Sequence, residues 1–418
     1  MHLAAAGDGQ SPTSARIHGL DTLRALAVAL VVLHHYTLFV SDAATFGWVG
    51  KIGWAGVDLF FALSGYLIGN QIFAAAGSAR GSGLGRFYAR RLLRTLPNFW
   101  VVLALYALWP AWRGDTPMVP LWHYLTFTQN IHLEPGTAFS HAWSLCIEEQ
   151  FYLLLPAVIL AGAALGRRGV GLRWAWYALL LAVAAGMFVR ATIWQDGQDA
   201  TNWLRYYYQN MYYSSWCRCD ELLSGVALAL LKHRAPSLWR RVLAHGNALL
   251  AAGLLVVGGT FAWFLDDHFA FAQTVAGYPL LALGCALLIL AALAPGSLLH
   301  RVRVPGAASL ALWSYAIYLT HKSVCILVAA HLGQAGHGAG EAVTIVASLL
   351  ASLLAGWLLY ALVETPFMRL RERWFSLRAA VGPVERDPVD RDPVERDPVE
   401  RDPVERNVLS RAPGPARR

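Results

Sequence analysis

Apolar windows of about 20 residues recur along most of the chain, and each is long enough to cross a bilayer as a helix. Polar, basic or Pro-containing segments separate them. The pattern predicts an all-α, polytopic integral membrane protein with about ten transmembrane helices. The predicted spans are 17–41, 54–76, 95–112, 143–165, 172–194, 212–231, 246–265, 271–294, 305–331 and 341–366.

The composition agrees with this pattern. Of the 418 residues, 56% are hydrophobic and only 14% are charged, whereas soluble domains carry about 25% charged residues. The net charge of +8 is distributed between the loops as membrane topology requires, so it does not indicate nucleic-acid binding. The five cysteines show no zinc-type spacing, and we expect all of them to be free thiols.

The loop charges predict an orientation. Loops after the even-numbered spans hold fourteen Lys and Arg residues, whereas loops after the odd-numbered spans hold three, namely Lys51, Arg113 and Arg205. Because basic loops stay on the cytoplasmic side, the first set is predicted to be cytoplasmic. With ten spans, both termini are then cytoplasmic as well.

The first predicted span contains polar residues that a lipid anchor does not need. Arg24, His34 and His35 interrupt an otherwise apolar run, and a charge near the middle of a span costs roughly 2.5 kcal/mol or more. Arg24 and His35 are eleven residues apart, which places both on one helix face, about 16 Å apart along the axis. We therefore expect this face to line a site that reaches through the membrane.

Further ionisable residues fall in or beside other spans, and each allows two interpretations. Arg91 and Arg94 suit a polyanionic ligand or simple retention of a basic loop. Glu149 could orient His35 or act on a hydroxyl group, or it could pair with Arg218. Asp58 and Ser64 could belong to a site, or they could serve helix packing and capping. Arg218 and Asp220 fit a structural charge network better than direct catalysis, and Glu148 and His321 could belong to a shared polar cavity or be paired structural groups.

Two other segments have a distinct composition. The tyrosines and tryptophan of 203–213 form either an interfacial aromatic belt or a surface that stacks against a sugar. Residues 383–407 repeat a five-residue unit, PVERD with small variations, which has one proline and alternating charge. Such a sequence cannot bury a core and predicts a disordered C-terminal tail.

Seven segments occur in an order that resembles membrane-bound acyltransferase family 3, whose members O-acylate sugars and related acceptors in bacteria. The segments are Arg24-x10-His35, GVDLFFALSGYLI, FYARRLLRTLP, WSLCIEEQFY, RCDELLSG, SYAIYLTH and VETPF. The resemblance implies a ten-helix acyltransferase domain over 17–371. A short cytoplasmic N-terminus, 1–16, would precede it, and a basic juxtamembrane segment with the tail, 372–418, would follow.

The resemblance also implies a reaction. An acyl group, usually acetyl, would pass from cytoplasmic acyl-CoA to a hydroxyl of a sugar, glycan or lipid-linked acceptor at the outer face of the bacterial inner membrane. By the family pattern, His35 matches the catalytic histidine, Arg24 completes its motif and Glu149 matches the essential acidic position. Arg91 and Arg94 match the donor-binding pair. Acyl-CoA would be a co-substrate, and no permanently bound cofactor, metal or nucleic acid is expected.

The competing interpretation is a proton-coupled transporter, or a flippase of a small solute or glycolipid. It would use His35, Glu149, Asp220 and His321 as a proton relay. Transporter folds usually contain an internal repeat, and the two halves of this sequence show no convincing similarity. Consumption of acetyl-CoA would separate the two functions.

Overall fold

The computed structural model describes residues 16–41, 45–76, 84–167 and 171–380. These residues form helices, turns and loops without a β-strand, which confirms the all-α class. The predicted repeat tail and most of the predicted N-terminal segment lie outside the described residues. Eleven described helices have at least 15 residues: α1 (His18–Tyr36), α2 (Ala55–Ala76), α3 (Leu84–Leu108), α4 (Trp143–Arg167), α5 (Leu172–Asp196), α6 (Asp220–Arg234), α7 (Gly246–Asp266), α8 (Tyr278–Leu293), α9 (Ala307–Gln334), α10 (Ala342–Leu359) and α11 (Thr365–Ala380).

Short helical segments connect or extend these helices. The short α-helices are Gly47–Ile52, Pro110–Arg113, Leu121–Leu125, Trp203–Tyr207, Pro236–Leu243 and Leu298–Arg301, and Ser140–Ala142 is a 3-10 turn. The π-helical turns are Thr37–Ser41, Tyr208–Tyr212, Gln273–Gly277 and Tyr360–Glu364. Such turns often occur at functional sites, and the first one directly follows the helix that carries His35. The chain divides into two units, Met1–Glu372 and Arg373–Arg418.

Eight stretches of the described residues are long and apolar enough to cross a membrane, in line with a polytopic membrane protein. They are His18–Ser41, Ala55–Ala75, Ser140–Gly162, Leu172–Asp196, Gly246–Asp266, Gln273–Leu293, Ala307–Gln334 and Ala342–Phe375. The other two predicted spans, 95–112 and 212–231, overlap helices α3 and α6, which are more polar or shorter than the eight. The first half of α3 is rich in arginine, and α6 has only 15 residues and begins with two acidic ones.

Close backbone contact holds α6 in the middle of the bundle. A Cβ atom added to Gly225 would collide with the Ala62 carbonyl oxygen on α2, and one added to Gly65 would collide with the Leu222 carbonyl oxygen on α6. Small residues at these positions therefore let the two helices approach closely. Protein rather than lipid surrounds α6, which explains how a short helix with charged residues is accommodated.

The long helices differ in how much protein surrounds them. The apolar windows of α2 and α8 are 61% and 67% buried, whereas those of α5 and α7 are 11% and 17% buried. Helices α2 and α8 thus form the centre, and α5 and α7 present apolar side chains outward, as expected for contact with lipid. Helix α1 packs against α2, α8 and α9, so Arg24 and His35 face the interior of the bundle.

Candidate active site

Five charged side chains line a cavity of about 90 Å³ between α1, α2, α3, α4 and α9, which we name the arginine cavity. They are Arg24, Arg91, Arg94, Glu148 and Glu149. Three guanidinium groups thus face two carboxyl groups. With both carboxyl groups ionised, the lining would carry a net positive charge and suit an anionic ligand.

Arg91 forms ion pairs with the two glutamates of the same cavity. Its guanidinium lies 3.5 Å from Glu148 Oε2 and 3.5 Å from Glu149 Oε1. The Tyr152 ring lies beneath it, 3.9 Å from ring centroid to Cζ, and the Tyr152 hydroxyl donates to Glu148 at 2.7 Å. Ser64 Oγ also donates to Glu148, at 3.4 Å. Arg91 and the two glutamates therefore form one fixed side of the cavity.

Arg24 and Arg94 have no such salt bridge to a described residue, although the Glu364 carboxylate attracts both of them at longer range. Both line the cavity, and neither makes a hydrogen bond or an ion pair with another described residue. Removing a cation from bulk water without a partner is costly, and an anionic ligand compensates that cost. These two arginines are therefore the groups in this cavity that can bind phosphate or another anion.

A second cavity of about 410 Å³ surrounds the far end of α1, and we name it the histidine cavity. His35 lines it, about 16 Å along the helix from Arg24. The other polar and aromatic lining residues are His34, Phe39, Lys51, Trp54, Ser140, His141, Trp143, Tyr208, Tyr212, Tyr213, Phe264, Asp266, Asp267, His268 and Phe269. The cavity thus combines ring faces with hydrogen-bonding groups.

His35 contacts a second histidine, from α9. The rings of His35 and His321 are nearly parallel, with centroids 5.0 Å apart and an interplanar angle of 4°. His35 Nδ1 lies 2.7 Å from His321 Nε2, and His321 Nδ1 lies 3.0 Å from the Ile317 carbonyl oxygen. His321 is completely buried. The imidazole of His35 is therefore held in position by another helix.

His141 completes the cluster from the turn before α4. Its ring lies edge-on to His35 and His321, with centroid distances of 6.0 and 5.5 Å. Phe139 sets this turn and has φ +56°, a conformation that is strained for a bulky residue. Stacking of its buried ring on Tyr106, 4.6 Å between centroids, compensates the strain. Sequence reasoning had not singled out His141.

The tyrosines of the 208–213 segment supply one wall of the histidine cavity. Tyr208, Tyr212 and Tyr213 contact one another edge-to-face or tilted at 5.2 to 5.7 Å, and the rings of Tyr212 and Tyr213 also contact Trp143. Burial raises the pKa of Tyr208 to about 12, so its hydroxyl stays protonated at neutral pH. The three hydroxyls make no hydrogen bond to another described residue. They are therefore available to a polar ligand.

The two cavities share part of one wall. Val57 lines both of them. Tyr318 lines the arginine cavity, and its ring centroid lies 5.7 Å from that of His141 and 5.9 Å from that of His321. Its hydroxyl contacts Ser144 Oγ at 2.6 Å. The predicted single groove is thus two cavities that share a wall, because side chains of α2 and α9 come between Arg24 and His35.

The remaining charges form a buried ionic cluster behind the histidine cavity. Arg218 donates to Asp58, and Arg190 donates to Asp220. All four side chains are buried, and none of them lines either cavity. The guanidinium of Arg218 also faces the Tyr278 ring, 4.4 Å from Cζ to centroid. This arrangement supports the structural interpretation of Arg218, Asp220 and Asp58.

Two predicted pairings are not found. Glu149 lies in the arginine cavity against Arg91, so this geometry does not let it orient His35, and His321 occupies that position. Glu149 also does not pair with Arg218, because Asp58 does. Sequence reasoning considered Glu149 as the partner of both His35 and Arg218. Helix packing instead places His321 against His35 and Asp58 against Arg218. The missed partner Arg190 had a signal, since it is an arginine inside the predicted apolar span 172–194.

Comparison with known proteins gives the class. Residues 17–361 match the protein family described as "Acyltransferase domain", family 3 of that name. The match covers most of the chain, and the chain therefore belongs to this acyltransferase family, as its motifs predicted. No solved structure matches significantly.

Three curated relatives carry more particular names. The chain is 29% identical to the putative peptidoglycan O-acetyltransferase YrhL of Bacillus subtilis, over 87% of this chain and 57% of the relative. It is 30% identical to the peptidoglycan O-acetyltransferase OatA of Listeria monocytogenes, over 51% and 34%. It is 28% identical to the putative membrane-bound transacylase BcsY of Komagataeibacter xylinus, over 84% and 82%. The chain thus spans little more than half of YrhL and a third of OatA.

Proposed function

We propose that the protein is a transmembrane O-acyltransferase that moves an acyl group, most simply acetyl, from acyl-CoA to a hydroxyl of a glycan. The names of the relatives support acetyl transfer to a cell-surface polymer. The observation that carries the proposal is the pair of adjoining cavities. One holds two arginines that make no salt bridge to a described residue, the other holds an ordered histidine cluster, and Val57 lines both.

The arginine cavity is the donor side in this proposal. Arg24 and Arg94 would bind anionic oxygen atoms of acyl-CoA, for which a guanidinium is well suited. The basic loops predicted to be cytoplasmic adjoin the start of α3, so the donor would enter from the cytoplasm. The narrow pantetheine arm would then carry the thioester past Val57 towards His35.

The histidine cavity is the acceptor side and would face the outside of the inner membrane. An acceptor sugar would stack against Tyr212 or Tyr213 and receive hydrogen bonds from the free tyrosine hydroxyls. Asp266 lies at the exposed rim and can accept hydrogen bonds from sugar hydroxyls. A sugar bound in this way would have a hydroxyl group next to the His35 imidazole.

The transfer itself needs one general base. His35 removes the proton from the acceptor hydroxyl while the oxygen attacks the thioester carbonyl carbon. A C–O bond forms, the C–S bond breaks, and the imidazolium returns its proton to the departing sulfur. The products are the acylated glycan and free CoA. General acid–base catalysis of this kind contributes about 10²- to 10⁴-fold.

The test is acyl transfer by the full chain in its membrane. Cells that contain the protein should show O-acetylated envelope glycans by mass spectrometry, and isolated membranes should release CoA from acetyl-CoA. His35→Ala should lower both signals by at least about 10²-fold at an unchanged protein level. His245→Ala is the matched control, because His245 is exposed and lines neither cavity.

Either of two results would reject the proposal. Membranes with abundant wild-type protein that leave acetyl-CoA untouched would favour the transporter. Full activity of His35→Ala would remove this imidazole from the reaction, whichever donor is used.

A further inference from the structure

The hydrogen-bond chain behind His35 determines which of its nitrogens can act as a base. The Ile317 carbonyl oxygen, 3.0 Å from His321 Nδ1, can only accept a hydrogen bond. His321 Nδ1 must therefore carry a proton. In a neutral imidazole the other nitrogen then has a lone pair, so His321 Nε2 is an acceptor.

The same reasoning extends one ring further. His321 Nε2 lies 2.7 Å from His35 Nδ1, so His35 must donate this bond and carry its proton on Nδ1. A doubly protonated His321 would reverse the direction. That state would place a second positive charge in a completely buried ring beside Lys322, whose ammonium already lies 3.2 Å from Ser140 Oγ. The neutral chain is the one that the surroundings favour.

The consequence is a lone pair on His35 Nε2. This nitrogen makes no hydrogen bond to another described residue, and His35 lines the histidine cavity. His141 offers no equivalent. Its Nε2 faces the Leu319 carbonyl oxygen at 3.3 Å, and its Nδ1 is buried without a partner. Of these three histidines, His35 is the one whose unpartnered nitrogen is not fully buried.

We propose that His321 is the positioning residue of this site. Its Nε2 lone pair holds the His35 ring in the Nδ1–H tautomer, so that Nε2 is the atom that takes the proton from the acceptor hydroxyl. When His35 becomes an imidazolium, its Nδ1–H···Nε2 bond becomes charge-assisted and therefore stronger. His321 thus stabilises the charged state that transfer passes through, without touching the substrate. The inference rests on the proposed function only for its kinetic consequence.

The kinetic test compares two replacements at the same position. His321→Leu removes the acceptor, whereas His321→Gln can restore one through its amide oxygen. With the purified full chain in lipid nanodiscs and a responsive acceptor glycan, His321→Leu should lower kcat by about 10²-fold or more. The KM for acetyl-CoA should stay within about twofold, and His321→Gln should recover at least about tenfold of the lost kcat. His331→Leu, at an exposed position on the same helix, is the matched control and should change neither constant.

A second readout needs no acyl transfer. Iodoacetamide alkylates an imidazole nitrogen that has a free lone pair, and hydrolysis of the isolated His35 peptide tells Nε2 from Nδ1 products. Wild type and His321→Gln should give the Nε2 product, and His321→Leu should give both. The proposal is overturned if the product ratio is the same in all three proteins, if His35 is not alkylated at Nε2 in wild type, or if His321→Leu keeps its kcat. If wild type transfers no acyl group, the proposed function fails, and the alkylation pattern still decides the role of His321.

Discussion

The buried ionic cluster and the arginine cavity contain the same kind of side chain in two different conditions. In the cluster, Arg218 and Arg190 each have a buried aspartate as a hydrogen-bonding partner. In the cavity, Arg24 and Arg94 have none among the described residues. A guanidinium with its own carboxylate stabilises the fold, whereas one without a carboxylate is ready for a ligand. Position in a membrane span alone does not separate these roles.

The largest expected effect is the loss of a buried partner. Arg218→Met would leave the Asp58 carboxyl in the core without its cation, which costs about 3–5 kcal/mol. We expect a strong loss of folded protein, measured by size-exclusion chromatography and thermal unfolding in detergent. The double variant Asp58→Leu with Arg218→Met removes both charges and should be clearly more stable than Arg218→Met alone. A double variant that is worse than the single one would show that the pair is not the stabilising unit.

A substitution in the arginine cavity should instead lower the affinity for the acyl donor. Arg94→Gln removes one charged hydrogen bond to the donor, worth about 1.5–3 kcal/mol, so the KM for acetyl-CoA should rise by about 10- to 100-fold. Thermal stability should fall less than in Arg218→Met, because Arg94 makes no salt bridge to a described residue and the interaction lost is a longer-range attraction to Glu364. Arg240→Gln, at an exposed position outside the cavity, is the matched control. An unchanged KM would mean that Arg94 only retains its loop in the cytoplasm.

Substitution of Arg91 should lower both the stability of the protein and its affinity for the donor. Arg91→Gln leaves Glu148 and Glu149 without their cation, so it should lower the unfolding temperature as well as donor affinity. The loss of stability should be smaller than for Arg218→Met, because these carboxylates line a cavity. A variant of Arg91 that is as stable as Arg94→Gln would contradict the pairing described above.

The smallest effect is expected at the exposed pair of Glu134 and Arg205, outside the membrane-spanning segments. Hydrogen bonds from Arg205 and Gln209 hold the pKa of Glu134 below its usual value of 4.5. A lowered pKa stabilises the folded protein above the unfolded-state pKa, and this contribution is lost as the pH falls through the folded-state value. Glu134→Gln should therefore destabilise the protein at pH 7 by less than about 1 kcal/mol. The difference in unfolding temperature should narrow towards pH 3.5, and an equal difference at both pH values would contradict the pair.

The sequence by itself determined the helical class, the positions of most spans and the family. These depend on local properties, namely long apolar windows and short motifs in order, which do not need a partner elsewhere in the chain. The sequence also identified Arg24 and His35 as unusual, because polar and charged residues in an apolar span are unusual wherever it folds. Arg91 and Arg94 precede the third predicted span and form a basic pair that suits a polyanionic ligand.

Only the tertiary structure decided which of these residues meet. His35 and His321 are 286 positions apart, and no periodicity relates them. The choice of Asp58 rather than Glu149 for Arg218, and the separation of Arg24 from His35 by Val57 and Tyr318, follow from how closely α2 approaches α6 and how α9 packs against α1. Charge pairing depends on distances of a few ångströms between helices, and local sequence does not specify those distances.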